Sequence, residues 1–289
     1  MSNTTESTAL GRSNYLDLGG RRLHYCTAGT SGPTVLFEAG LGKSRTIWGL
    51  VQPEVEKLTR TVVYDRAGHG RSDESSEPRT LENLVSDHLA LLAHLNQGPY
   101  ILVGHSYGGP IVRTVASRVP DQVAGIVLVD ESSEAAEGLM SRQYEMVTNF
   151  IYLTQVVLAK VGLLAPIVRR AYFRDFDGSI ADESLQEDGT SRSARTARAE
   201  CKYFVPGLQR LRDNPCQLPH VPVTTISANR RPAQDGQPNE LTRSHAASVQ
   251  SVPGAGQVSS ELPNHYIQLR EPQVVIREIE AIVQKVIAG

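Results

Sequence analysis

Residues 34–38, 100–104 and 125–129 each carry an almost uninterrupted apolar run, and stretches of helical periodicity separate them. A strand with one wet face alternates polar and apolar residues. One that is apolar throughout is covered on both faces, as in a parallel sheet held between two layers of helices. Residues 61–64 read as another such strand, and residues 47–58 as a helix between it and the first. The clearest helix spans 80–97, where Leu81, Leu84, Val85, His88, Leu92 and Leu95 share one face and Gly98-Pro99 stops it. A second is predicted over 110–118. Ahead of them, 15–18 and 22–26 flank Gly19-Gly20 as an antiparallel hairpin.

The rhythm breaks after Val129. Residues 131–218 show helical stretches but no strand; strands resume at 221–228 and 257–261. A last helix carries Val275, Ile276, Ile279, Val283 and Val286 on one face. The expected organisation is a flexible N-terminus over 1–12, an α/β core from 13–131 and 218–289, and a helical cap over 132–217. The apolar stretch 146–168 is interrupted by Asn149, Gln155, Lys160 and Pro166 and is too short to span a bilayer, so it reads as a lid helix. Residues 1–12 lack an apolar run, which gives neither signal peptide nor anchor and makes the cytoplasm the expected location.

Composition narrows the function. Twenty-nine Lys and Arg balance 31 Asp and Glu, a net charge of -2, which argues against a broad nucleic-acid surface. Cys26, Cys201 and Cys216 are too few and too scattered for a disulfide framework or a zinc site and read as apolar fillers. No cofactor, metal or membrane insertion is expected, and the oligomeric state is not legible.

The chemistry lies in Gly104-His105-Ser106-Tyr107-Gly108, a G-x-S-x-G pentad directly after the strand at 100–103 and directly before a helix. Alone the pentad is weak; this context gives it weight. A sharp strand–turn–helix needs small residues beside the strained position, and it lifts Ser106 to the strand's carboxyl end, where a helix N-terminus favours negative charge. A phosphate-binding Gly-rich turn fits poorly: the Lys of a P-loop is absent, as is the spacing of a dinucleotide fingerprint.

From about Tyr15 to Ile287 the sequence resembles the α/β-hydrolase family. The resemblance rests on the pentad, on Glu38-Ala39-Gly40-Leu41-Gly42 where the family carries an oxyanion loop, and on Asp65-Arg66-Ala67-Gly68-His69-Gly70-Arg71-Ser72, a D-x-x-G-x-G-x-S turn. Asn264-His265-Tyr266-Ile267 before a final helix completes it. The resemblance implies an α/β-hydrolase fold: a mostly parallel central sheet flanked by helices, with a helical cap insertion. It also implies Ser106 as nucleophile, His265 as base and the backbone N–H groups of Leu41 and Tyr107 as oxyanion hole, with Asp65 and Arg66 structural. His105 is expected to point away from the nucleophile, His69 to serve its turn, and His88 and His94 to lie at a core edge or on the surface.

A serine needs a base to take its proton, and that base needs a carboxylate to fix its tautomer. The family most often places this acid after the strand that is here 221–228, but Asn229-Arg230-Arg231-Pro232 follow, and the nearest carboxylate is Asp235. Some members place it at the end of the preceding strand, which is Asp130 here. Asp130 is the preferred acid; Asp235 and Glu131 stay open.

A serine at the elbow favours hydrolysis of an ester, lactone, thioester or amide through an acyl-enzyme. The apolar lid run (Phe150, Ile151, Leu153, Val156, Val157, Leu158, Val161, Leu163, Leu164) is expected to roof the elbow and to suit a bulky hydrophobic ester or a macrocyclic lactone, as in serine macrolide esterases. The alternatives are a carbon–carbon bond hydrolase or haloperoxidase-like enzyme of the same fold, and a non-catalytic binding protein.

Overall fold

The computed structural model describes residues 7–173, 178–233 and 236–288. Among the described residues, nine strands form a single sheet in the order β1-β2-β3-β5-β4-β6-β7-β8-β9. β1 (Ser7–Thr8), β2 (Gly11–Asp17) and β3 (Arg22–Ala28) make an antiparallel edge. β3 pairs antiparallel with β5 (Arg60–Tyr64). Beyond it β4 (Thr34–Glu38), β6 (Tyr100–His105), β7 (Val123–Val129), β8 (Val223–Ser227) and β9 (Gly256–Ser259) run parallel.

Of the parallel strands, β4, β6 and β7 are almost wholly apolar because their alternate residues feed two separate cores. Leu36, Leu102, Ile126 and Leu128 point into one, with α2 (Leu81–Leu95), α3 (Gly108–Arg118) and α7 (Ser191–Asp213). Val35, Phe37, Val103, Val127 and Val129 point into the other, with Trp48 and α10 (Pro272–Ala288). These three strands are thus buried on both faces, and the carboxyl ends of β4, β6, β7 and β8 gather at one edge, where sheets of this kind bind ligands.

Between β7 and β8 the chain forms α4 (Arg142–Lys160), α5 (Leu164–Tyr172), α6 (Ser179–Asp188) and α7, without a strand among the described residues. The helix expected over 47–58 is instead a 3-10 turn at Arg45–Trp48 followed by the single-turn α1 (Gln52–Val55). Gly49 and Pro53 interrupt it, and a Cβ at Gly49 would meet Ile180 at 2.3 Å. Its apolar residues Ile47, Trp48, Val51 and Val55 still reach the core. Within the stretch 1–12, Ser7–Thr8 forms β1, which pairs with β2, and Leu10 is fully buried. Two short helices, α8 (Glu240–Ser248) and α9 (Ile267–Arg270), had no expectation.

Candidate active site

Ser106 occupies the tight turn between β6 and α3 with φ 53°, a left-handed conformation that non-glycine residues rarely adopt. Three backbone bonds hold it there. Its N–H donates to the Val129 carbonyl, and its own carbonyl accepts from the N–H of Gly109 and of Ser132, each at 3.0 Å. A Cβ at Gly104 would lie 2.5 Å from the Gly108 carbonyl oxygen, so neither end of the pentad has room for a side chain that would widen the turn.

His265 arrives on the loop between β9 and α9. Its Nδ1 lies 2.6 Å from Asp130 Oδ2, at the end of β7. With Asp130 ionised, Nδ1 carries the proton and Nε2 is left as the acceptor. Asp130, itself at φ 43°, accepts three further hydrogen bonds: from Ala228 N at 3.0 Å and Arg230 Nη1 at 2.7 Å on Oδ1, and from Arg230 Nη2 on Oδ2. Burial would raise this carboxyl, but the hydrogen bonds and charges of Arg230 and His265 outweigh it and hold it well below the usual carboxylate range.

Ser106 and His265 line the same cavity of about 180 Å³, with Gly40, Leu41, Lys43, Ser132 and the aromatic rings of Tyr144, Tyr152, Phe204 and Tyr266. Ser106 Oγ bonds Ser132 Oγ at 3.4 Å, and no Ser106–His265 hydrogen bond is formed. Catalytic bonds of this kind often tighten only when substrate is bound. The backbone N–H groups of Leu41 and Tyr107 donate to no other described residue, and Tyr107 caps α3, whose N-terminus favours negative charge. Gly40 lets the loop approach: a Cβ there would sit 2.8 Å from His105 Nδ1 and 3.1 Å from Ser106 Cβ.

The remaining sequence candidates separate cleanly. His105 is buried; its Nε2 bonds the His265 carbonyl oxygen at 3.0 Å and its ring packs on that of His265. Burial and the neighbouring His265 push it down to about 3, so it stays neutral and acts as a strut. Glu131 faces the other way, bonded to Arg113 Nε at 2.9 Å and to Ser248, and does not reach His265. Asp235 lies outside the described residues. His69 is buried 3.3 Å from Glu200. His88, expected at a core edge or surface, is fully buried and bonds Glu38 at 2.9 Å.

The lid expectation needs correction. Of the apolar run, Phe150, Ile151, Leu153, Val157, Val161 and Leu163 face solvent, and Phe150 is 69% exposed. Tyr144, Thr148 and Tyr152, spaced four apart, are the α4 side chains that line the cavity. The amphipathic logic was inverted: the cavity takes the aromatic–polar stripe, and most of the aliphatic stripe is turned outward.

Sequence reasoning also missed the supports of the loop after β4. Arg66 Nη1 donates to the Ala39 carbonyl at 2.6 Å and to Glu38 at 2.7 Å; Arg66 Nη2 donates to the Gly40 carbonyl at 2.8 Å. Glu200 of α7 accepts from Arg66 Nε at 2.8 Å and from Gly42 N at 3.0 Å. A buried Arg inside a matched turn was the available signal, since a buried guanidinium needs several acceptors. Glu200 carried none. Among the described residues no group of three or more His, Cys, Asp or Glu is arranged to hold a metal ion.

Residues 33–176 match the sequence profile of a family described as alpha/beta hydrolase fold. The chain is 34% identical over 171 residues to Lipase LipV of Mycobacterium tuberculosis, covering 57% of this chain and 61% of that one. It spans between 31% and 61% of the length of that relative and two similar curated relatives. Among solved structures it superposes on a mutant of a putative epoxide hydrolase from Pseudomonas aeruginosa, with TM-score 0.77, 16% identity and 95% of each chain covered. It also superposes on the enol-lactonase from Burkholderia xenovorans LB400, with TM-score 0.66, 20% identity, and 94% of this chain and 100% of that one covered. Sheet order, elbow and profile agree: the chain belongs to the α/β-hydrolase family. No described helix is long and apolar enough to cross a membrane.

Proposed function

We propose that the protein is a serine hydrolase that cleaves a carboxylic ester or lactone through an acyl-enzyme. One observation carries the reading: the strained Ser106 opens into the cavity that holds His265, whose Nδ1 is fixed by Asp130. Ser106 Oγ attacks the carbonyl carbon while His265 Nε2 takes the hydroxyl proton. The carbonyl oxygen becomes an oxyanion held by the N–H groups of Leu41 and Tyr107, and His265 returns the proton to the departing alcohol. Water, deprotonated by the same imidazole, then attacks the acyl-enzyme, releasing the acid and restoring Ser106.

The cavity is smaller than the roughly 300–1,000 Å³ usual for ligand pockets. We therefore assign it the acyl side of a hydrophobic ester, with its four aromatic rings as walls. A macrocyclic lactone such as a macrolide enters only if α4 moves outward. The three thiols Cys26, Cys201 and Cys216 are unpaired, which suits a reducing compartment such as the cytoplasm.

The test is a p-nitrophenyl ester series followed through the first turnover. Wild type is expected to give a burst of nitrophenol with short acyl chains, and Ser106→Ala is expected to give neither burst nor covalent capture of a fluorophosphonate. Equal turnover by the alanine variant would sink the reading. Comparing short acyl esters with a macrocyclic lactone then decides whether α4 yields.

A further inference from the structure

The loop after β8 is where the fold most often supplies an acid, and here it supplies a cation. Arg230 engages both oxygens of Asp130 and shares Oδ2 with His265. Together with Ala228 N these contacts fill the approximately four lone-pair sites of a carboxylate. The loop is itself anchored: Asn229 N donates to the Leu262 carbonyl at 3.1 Å and Arg230 N to the Ala228 carbonyl at 2.8 Å. The Arg230 side chain is 25% exposed while that of Asp130 is fully buried.

We infer that Arg230 is a positioning residue for the Asp130–His265 pair, and that its charge sets the lower pH limit of turnover. This inference rests on the serine-hydrolase reading. Two physical effects support it. The two-pronged guanidinium fixes the plane of the carboxylate, so that Oδ2 stays aimed at His265. The guanidinium also neutralises the charge that would otherwise stabilise a protonated imidazole. Without Arg230 the pair carries one net negative charge while His265 is neutral; with Arg230 it carries none. Removing that positive charge is therefore expected to move the acid limb of turnover upward.

The other groups around His265 are few. His105, from the end of β6, is held neutral by burial. Tyr266 adjoins it in the chain, and Lys43, from the loop after β4, lines the same cavity with its ammonium 3.7 Å from the centre of the Tyr172 ring. Behind Asp130, His245 is bonded to Ser227 and to the Glu131 carbonyl oxygen, and burial lowers it. None of these spans the Asp130 carboxylate as Arg230 does.

The experiment compares the pH dependence of kcat/KM in wild type, Arg230→Gln and Arg230→Lys, with thermal melts to establish folding. Arg230→Gln is expected to move the acid limb upward by about one pH unit, a figure tempered by solvent screening. Activity should then fall several-fold near pH 6 and much less near pH 8. Arg230→Lys keeps the charge but not the fork, so its acid limb should stay near that of wild type while kcat drops at every pH. In a Ser106→Ala background, the His265 ring signal of labelled protein should show the same upward shift in Arg230→Gln, independently of turnover. An acid limb and a ring titration that overlay wild type in a folded Arg230→Gln protein would overturn the inference. Turnover that survives Ser106→Ala would instead overturn the serine-hydrolase reading, so the two failures are distinguishable.

Discussion

At the scale of residues, the proposed catalytic groups differ in how far the sequence announced them. Ser106 was legible because its pentad sits between an apolar strand and a helix, and His265 because it falls in the loop before the final helix. The acid was not, because three carboxylates satisfied the same chain order. What separates two of them is direction at the end of β7: Asp130 turns toward His265 at φ 43°, and Glu131 turns back to Arg113. The two variants should therefore fail differently. Asp130→Asn presents the wrong hydrogen-bond partner to the imidazole and is expected to cut kcat by about 10⁴ with the fold intact. Glu131→Gln is expected to hold kcat within a few-fold while lowering the melting temperature, since it leaves the buried Arg113 with Glu134 as the remaining one of its two paired carboxylates. Steady-state kinetics and melting curves on both proteins check the pair, and an inverted ranking would move the acid to Glu131.

At the scale of elements, the strands and long helices followed from their periodicity, because burial on both faces leaves an apolar run and burial on one leaves a 3.6-residue repeat. The short pieces were illegible. The Ile47–Val55 stretch has the apolar spacing of a helix, yet Gly49 and Pro53 fold it as two separate turns with the same residues buried. Helix α4 misled in a different way. It carries two stripes, and apolarity alone pointed the wrong one at the cavity. Its two faces give a direct comparison. Phe150→Ser on the outer face should leave kcat/KM for short esters within about twofold. Tyr152→Ala on the cavity face should raise KM by roughly tenfold, the value of one buried aromatic wall. Loss of activity in Phe150→Ser would mean that the outer face folds over the cavity during turnover.

At the scale of the whole molecule, a charged seam joins the sheet edge to α6. Arg45 is fully buried among Asp65, Glu183 and Glu187, and Arg71 reaches the same two glutamates. Two arginines shared among three carboxylates leave Glu187 the least favoured: burial and the Asp65 charge raise it to about 7. A carboxyl raised in the folded state contributes stability below its unfolded value, near 4.5, and loses it as pH rises through about 7. Asp65 and Asp130, both depressed, act in the opposite sense and cost stability only in acid. Glu187→Gln imitates the protonated form. Its melting temperature relative to wild type should climb between about pH 5 and about pH 8, and a difference that stays flat would exclude Glu187 as the titrating group. Nothing in the sequence predicted this seam, because Arg45 and Arg71 lie more than a hundred residues from Glu183 and Glu187 and meet them only in the folded chain.

Glu200 links two parts of the chain that invite separate treatment. The stretch between β7 and β8 looks like an interchangeable attachment, the kind of segment that engineers exchange between relatives to alter selectivity. Here that stretch holds the carboxylate that receives Arg66 and Gly42 N, and so it fixes the loop that would face an oxyanion. A graft lacking an acidic residue at that point would leave the buried Arg66 guanidinium with Glu38 but not Glu200 as counter-charge, and Gly42 N without its acceptor. On the proposed serine-hydrolase reading, recognition and reactivity are therefore inherited together, and selectivity is better altered one side chain at a time along the inner stripe of α4.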